Sequence, residues 1–366
     1  MFIPLTKPDI GDAEMAAMLE TIQRGKITQG EVTARFEKAC AEAIGVDGGV
    51  GTNSGTSAIV LALAALNVVH GDEVIIPSYT CLAVLNAVMQ AGAVPVLVDC
   101  QNDPVEMNFN IQLCHVRQAI SHRTRAIVVP HMFGVPADVT RIRELGIPVI
   151  EDITLSFGAT TPEGRVVGSI GDLAICSFHA SKMVACGEGG IVLGKEELVT
   201  SARQLNGEDS EQVEQRFGAP LKPYRMRYGF RLSDTHAACG LVQLGRLQKT
   251  IERRRELARQ YAEMLHGLSN VLLPHAGRSG DVFFRFIVQV TQRKVIEVLR
   301  AFADARIEAG RGVFPPLHRI LFKNETHFPG AEAASVANLS IPLYPALSDA
   351  EVDYVLQASR DVLAVS

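Results

Sequence analysis

No CxxC pair occurs in this chain, and its seven cysteines (Cys40, Cys81, Cys100, Cys114, Cys176, Cys186 and Cys239) are scattered and odd in number. That pattern excludes a disulfide framework and a structural zinc site; no metal is expected, and reduced thiols in a cytoplasmic compartment are. There is also no dense basic run, and the net charge is −5, which argues against a nucleic-acid partner. An acidic ligand would therefore need a local basic pocket. No apolar run approaches the roughly twenty residues of a membrane span: the stretch 57–69 is short and gives way to His70-Gly71-Asp72. The N-terminal MFIPLTKPDIGDAEM has no basic region followed by an apolar core, so no secretory leader is expected. Internal repeats and low-complexity tracts are absent as well.

What is present suits a compact enzyme: 366 residues, 47% hydrophobic and 20% charged. That length favours one large domain, expected over 1–249, and a smaller one over 250–366. The spacing of Met15, Met18, Leu19 and Ile22 predicts a leading helix that packs on a neighbour or on the main body, and Phe36, Ala39 and Ala43 mark a second. Short β-branched runs at 74–77, 94–98, 126–130 and 148–151 alternate with helical patterns at 80–91, 111–120 and 137–145. Such alternation predicts an α/β fold whose mainly parallel sheet is covered by helices on both faces. Ligands of such sheets bind beyond the carboxyl ends of the strands, where Tyr79, Cys81, Asp99, His131, Glu151 and Asp152 fall. A strand at 191–194 and a helix at 196–205 follow, then a long irregular stretch at 206–230. One long helix is predicted over 235–265, and a smaller α+β part after it, with strands at 283–290 and 335–341 and helices at 294–305 and 349–363.

Two stretches carry chemistry. GGVGTNSGTS (48–57) reads as a glycine-bearing turn feeding a helix, so Ser54, Gly55, Thr56 and Ser57 stand at a helix N-terminus; they serve either as ordinary caps or as a phosphate site. The stretch 151–190, EDITLSFGATTPEGRVVGSIGDLAICSFHASKMVACGEGG, places Asp152 at the end of an apolar run. Some thirty residues on comes a single lysine, Lys182, among small residues. This pairing suits an aldehyde cofactor whose ring nitrogen must stay protonated. Pyridoxal phosphate is that cofactor, with Lys182 forming the Schiff base and Asp152 holding the ring proton. Read without a cofactor, Asp152 is a buried cap for the residues after it.

The pattern of ED, GA, GD, SFH, K and GEGG resembles the DegT/DnrJ/EryC1/StrS family of sugar aminotransferases, of the fold-type I class of pyridoxal-phosphate enzymes. The resemblance runs from Ile3-Pro4-Leu5 to the segment 310–318. It implies that Thr56 and Ser57 of the SGTSA element grip the cofactor phosphate, that Ser177 adds a side-chain ligand to it, and that Lys182 and Asp152 act as above. It also implies that the loop at 206–230 reaches across a homodimer into the partner's site. His131, otherwise a turn-stabilising histidine, would lie beside the cofactor, and His318, otherwise an ordinary loop residue, would face substrate. Related sugar dehydratases carry histidine at the lysine position, so Lys182 favours transamination.

Three positions depart from the family pattern. Leu155 stands where glutamine bonds the cofactor's phenolic oxygen, Cys81 where an aromatic stacks on the ring, and Gly229 where a partner-loop asparagine reaches the phosphate. One hydrogen bond to an ionic ligand is worth about 1.5–3 kcal/mol, so three losses predict weaker cofactor retention, altered chemistry or replacement contacts, with Tyr79 or Phe157 as substitute aromatics. The expected function is transfer of an amino group from glutamate to a nucleotide-linked keto-sugar. The rivals are a related lyase or epimerase using the same lysine, and a degenerate homologue acting as a binding or regulatory protein.

Overall fold

The computed structural model describes residues 1–101, 103, 105–207 and 226–364. The larger sheet contains β1 (Gly48–Thr52), β2 (Glu73–Pro77), β3 (Val94–Val98), β4 (Thr124–Pro130), β5 (Val149–Asp152), β6 (Leu173–Ser177) and β7 (Gly190–Gly194), in the order β1-β7-β6-β5-β4-β2-β3. β3, β2, β4, β5 and β6 pair in parallel, while β7 runs antiparallel to both β6 and β1. Runs such as Val74-Ile75-Ile76 and Ala126 to Val129 are fully buried because helices cover both faces of the sheet. The expected α/β architecture is the observed one.

Helices α1 (Asp12–Gln23) and α2 (Glu31–Ile44) precede the sheet, and α3 (Gly55–Ala65), α4 (Leu82–Gln90), α5 (Leu113–Ala119), α6 (Val139–Arg143) and α7 (Glu196–Leu205) are interleaved with it. α3 is apolar nearly all round, and Ala58 to Leu63 are at most 2% exposed, so it is a core helix held between sheet and neighbours. Beyond α8 (Asp234–Gly245) and α9 (Leu247–Leu265), a second, antiparallel sheet of β8 (Val271–Leu272), β9 (Phe286–Val290), β10 (Gly310–Arg311) and β11 (Asn338–Ile341) has the order β10-β11-β9-β8. α10 (Val295–Asp304), α11 (Leu317–Ile320), α12 (Pro329–Ala337) and α13 (Asp349–Ala364) complete the chain. Its core joins Leu257 and Tyr261 of α9 to Phe286, Phe302, Leu339 and Val355, and Ile3 from the far N-terminus enters the same core and bridges Ile307.

Several local expectations change. The glycines of 48–52 form a strand rather than a turn: a Cβ on Gly49 would lie 2.9 Å from Leu193 Cδ2, so the missing side chain lets β1 close on β7. The long helix over 235–265 is two helices, broken at Arg246, whose guanidinium is drawn to Asp9 and Glu14. The strand expected at 335–341 is the end of α12 followed by β11, because Pro329 starts a helix that runs into the apolar segment. The strand expected from 283 starts at Phe286, because Phe284 N–H and Val282 N–H instead bond the carbonyls of Phe133 and Gly134. α1 also turns its expected face outward. Met15, Leu19 and Ile22 are each more than half exposed, while Glu14 is buried against Gln243 Nε2 (2.8 Å) and Arg246.

Candidate active site

Two acids end β5, and strand alternation sends them to opposite faces. Glu151, fully buried, accepts hydrogen bonds from the N–H groups of Gly168 (2.8 Å), Ile170 (2.7 Å) and Gly171, and pairs with His131 Nε2 (3.0 Å). Burial alone would raise its pKa, but His131 and these N–H groups outweigh burial and hold it below the ordinary carboxylate value. Because His131 Nδ1 accepts the Ala137 N–H at 2.9 Å, the ring proton sits on Nε2 and points at Glu151. His131 thus has the turn-stabilising employment read from sequence, through the Ala137 N–H.

Asp152 is less committed. Its Oδ1 accepts the Thr154 N–H at 3.0 Å, and the Thr154 hydroxyl in turn accepts the Ser177 N–H at 3.1 Å, which ties the ends of β5 and β6 together. Burial pushes the Asp152 pKa up, against the pull of Thr154, Lys182 and His131. Sequence reasoning passed over Thr154, although a threonine two residues after an aspartate is an ordinary local-turn signal.

Lys182 rides on the loop between Ser177 and Gly190. The loop is closed by Phe178 N–H to Gly189 O (2.9 Å), Cys186 N–H to Phe178 O (3.0 Å) and Ala180 N–H to Gly187 O (2.9 Å). Gly187 takes φ +94° there, a left-handed turn that a side chain would strain. The ammonium Nζ stands 5.2 Å from the centre of the Phe284 ring, two residues before β9. Burial lowers the Lys182 pKa, and the Asp152 charge only partly offsets this. The result is a lysine more readily neutral than one in water, as an attacking amine must be.

The N-terminus of α3 meets the same edge of the sheet. Ser54 caps it, with Oγ accepting the Ser57 N–H at 3.1 Å and bonding the Ser57 hydroxyl at 2.9 Å. The first intrahelical bond is Ala58 N–H to Ser54 O (3.0 Å), so the N–H groups of Gly55 and Thr56 find no partner within the helix. Two glycines make the approach possible. A Cβ on Gly55 would lie 2.7 Å from Ser177 Cβ, and one on Gly190 would lie 2.4 Å from Ser54 O. The structure therefore brings Ser54, Gly55, Thr56, Ser57 and Ser177 together around a helix N-terminus, the chemistry of a phosphate site.

The remaining expected residues are placed less centrally. Cys81, exposed, stands at the N-cap of α4. Leu155 is half-buried against the apolar clusters on either side of it. Gly229 is exposed, at φ +64° with open space around it, and residues 208–225 of the expected partner-reaching loop lie outside the described residues. His318 is fully buried: Nδ1 meets Ser78 Oγ at 2.6 Å, Nε2 meets Glu332 Oε1 at 2.6 Å, and the ring stacks on Phe328 at 4.5 Å. It holds the wall of the cleft together and has no ring nitrogen left for a ligand. Tyr79 and Phe157, the substitute aromatics expected from sequence, are likewise fully buried, with the Tyr79 hydroxyl accepting from Asn338 Nδ2 (2.9 Å) and Val313 N–H (3.2 Å). The aromatic face that does lie beside Lys182 is that of Phe284, which sequence reasoning missed because it arrives from another sheet a hundred residues later.

The model of the DegT/DnrJ/EryC1/StrS aminotransferase family matches residues 8–360 of this chain. A GDP-perosamine synthase from Caulobacter vibrioides is 33% identical over 380 residues, spanning 99% of this chain and 98% of that protein. Among solved structures, the aminotransferase TlmJ from Streptoalloteichus hindustanus superposes with a TM-score of 0.89 at 30% identity, over 100% of this chain and 99% of that one. Spr1654 from Streptococcus pneumoniae, assigned as a sugar aminotransferase and solved in its PLP form, gives a TM-score of 0.89 at 26% identity, over the whole of both chains.

Proposed function

The chain belongs to the DegT/DnrJ/EryC1/StrS aminotransferase family, and from that premise we propose that it transfers an amino group, with glutamate as donor, to a nucleotide-linked keto-sugar. Its architecture is that of the fold-type I pyridoxal-phosphate enzymes, and its cofactor is pyridoxal phosphate. The observation that carries the reading is the convergence of three groups at one sheet edge: Lys182 with a lowered pKa, Asp152 within its electrostatic reach, and a helix N-terminus with two uncommitted N–H groups. The donor set has the chemistry the cofactor needs: a helix N-terminus with hydroxyls for the phosphate, a carboxylate for the ring nitrogen and an amine for the aldehyde.

Bound there, pyridoxal phosphate supplies an aldehyde that condenses with amines and a ring that withdraws electrons from the carbon next to nitrogen. The N–H groups of Gly55 and Thr56 and the hydroxyls of Thr56, Ser57 and Ser177 bind the phosphate. Asp152 would hold a proton at the ring nitrogen, where pairing with a cation would offset the cost of burying its charge. Lys182 would supply the amine that holds the cofactor's aldehyde and, when free, a base whose Nζ would take up and return a proton. Leu155 and Cys81 would stand at the positions where the family usually has glutamine and an aromatic, and Phe284, whose ring lies 5.2 Å from Lys182 Nζ, would offer apolar surface. His318 is a positioning residue of the cleft wall.

The exposed apolar row Met15, Leu19 and Ile22 on α1, with Ile10 and Ile27 beside it, supports a homodimer in which a second copy covers that face. In that dimer the segment around Gly229 completes the partner's site. The division into a large part, 1–249, and a small part, 250–366, belongs to this reading, as does a cytoplasmic location; among the described residues no helix is long and apolar enough to cross a membrane.

The test is the visible spectrum of the protein loaded with pyridoxal phosphate, before and after L-glutamate. A band that glutamate converts to that of the amino form of the cofactor is expected, and Lys182→Ala should abolish the conversion, with a loss of about 10⁴-fold. A band that survives glutamate and every other amino donor unchanged would overturn the reading.

A further inference from the structure

β5 ends before its neighbour does. The backbone ladder between β5 and β6 runs from Ile150 opposite Leu173 to Asp152 opposite Ile175, and beyond it Ile153 N–H still bonds Ile175 O at 2.9 Å. β6 continues to Ser177, whose N–H points past the end of β5. The Thr154 hydroxyl accepts it there at 3.1 Å, so a side chain takes the place of the missing strand carbonyl.

That hydroxyl is shared. Thr154 also donates its N–H to Asp152 Oδ1 at 3.0 Å, and a hydroxyl that accepts one bond keeps its own proton to give. Burial pushes the Asp152 pKa up, and of the pulls that oppose it the Thr154 side chain's is the largest. Hydroxyls in this turn are not bonded by default: Ser156, two residues on, is fully buried, and its Oγ has no partner among the described residues. Ser177 is pinned from its other sides, since a Cβ on Gly55 would lie 2.7 Å from its Cβ and its Oγ accepts the His179 N–H at 3.3 Å. Thr154 therefore spans the gap between the acid at one end of the site and the serine at the other.

We infer that Thr154 is a positioning residue that couples the two ends of the cofactor site, setting Ser177 for the phosphate and Asp152 for the ring nitrogen through one hydroxyl; this rests on the aminotransferase reading above. Valine has the same shape without the hydroxyl, so Thr154→Val strands the Ser177 N–H and takes a donor from Asp152. Thr154→Ser keeps both bonds.

The experiment uses the full-length protein freed of cofactor and two probes, one for each end: inorganic phosphate, read by calorimetry, and pyridoxal, which lacks the phosphate and is read by its visible band on reaction with Lys182. Thr154→Val should weaken each by about 10-fold and the capture of pyridoxal phosphate by about 10- to 100-fold, and Thr154→Ser should recover most of the loss. In an Asp152→Asn background Thr154→Val should change pyridoxal capture by only about 2-fold while its effect on phosphate persists; a merely structural threonine would give the same loss in both backgrounds. Unchanged binding of both probes in Thr154→Val, loss at one end alone, or an undiminished pyridoxal effect in Asp152→Asn would each overturn the assignment. Should Thr154→Val fail to fold, hydrogen exchange of the Ser177 amide in the wild type decides: slowing of about 10-fold or more over an open loop is expected, and anything less overturns the proposal. A wild-type protein that forms no band with pyridoxal phosphate would overturn the aminotransferase reading itself, a result read separately from phosphate binding and Ser177 exchange.

Discussion

The two faces of β5 hold adjacent carboxylates in opposite circumstances. On one face Glu151 is fully buried with three backbone N–H groups and His131 aimed at it, and its pKa is held down. On the other, Asp152 has Thr154 and the distant charge of Lys182, and burial pushes its pKa up. The saturated acid fastens the 168–171 segment to the sheet; the undersupplied one retains binding capacity for something cationic. Satisfied polar groups build structure, and unsatisfied ones mark where a ligand completes the site.

Substitutions on the two faces should separate those roles. Glu151→Ala strands three N–H groups and the His131 ring, and is expected to cost about 3–5 kcal/mol in urea unfolding; a loss under 1 kcal/mol would remove the distinction between the faces. Asp152→Asn keeps the acceptor for Thr154 N–H, so the unfolding midpoint should hardly move. Its transamination rate should nevertheless fall by about 10²–10³-fold, as expected for losing one preorganised electrostatic partner.

The pH dependence sharpens the same contrast. Lys182 must be neutral to take up the aldehyde, so capture of pyridoxal phosphate should rise with pH through a midpoint below the ordinary lysine value of 10.5. In Asp152→Asn that midpoint should fall further, because the charge favouring the ammonium has gone; an upward move would contradict the pairing.

The smallest effect concerns Asp281, an acid with neither strong fastening nor a site. Burial raises its pKa from 3.8 to about 6, so between those values the folded chain keeps a proton that the unfolded chain has released. Its contribution to stability therefore falls as pH rises through that window and is flat above it. Asp281→Asn should accordingly stabilise the fold by about 1 kcal/mol at pH 8 and by less at pH 4, measured by urea unfolding at both.

Much of this was legible in the chain. Uninterrupted β-branched runs announce strands covered on both faces, as at 74–76 in β2, and the run at 94–98 and the helical pattern at 196–205 coincide with β3 and α7. Small residues and glycines around Lys182 announce a tight loop, and Ser54 announces a helix start. These signals are local: each depends on residues within a few positions of one another.

What the tertiary structure alone decided is which polar group meets which. Helix α2 begins at Gly30, which has no capping side chain. Asp234 supplies the cap, accepting the N–H of Gly30 at 2.7 Å and of Thr33 at 2.9 Å. Asp99 does the same for α12 through Gly330 (2.7 Å) and Ala331 (2.8 Å). Ser78 claims His318, Asn338 claims Tyr79, and Arg246 turns α1 around by drawing Glu14 inward. Arg254 and Arg285 look alike in sequence, yet Arg254 donates Nη1 to three carbonyls while Arg285 meets the Phe284 ring. Periodicity and turn chemistry act within a few residues and so are written in the sequence by itself. The pairing of buried donors with acceptors joins segments some two hundred residues apart, and only the closed fold, where water no longer competes for those groups, selects it.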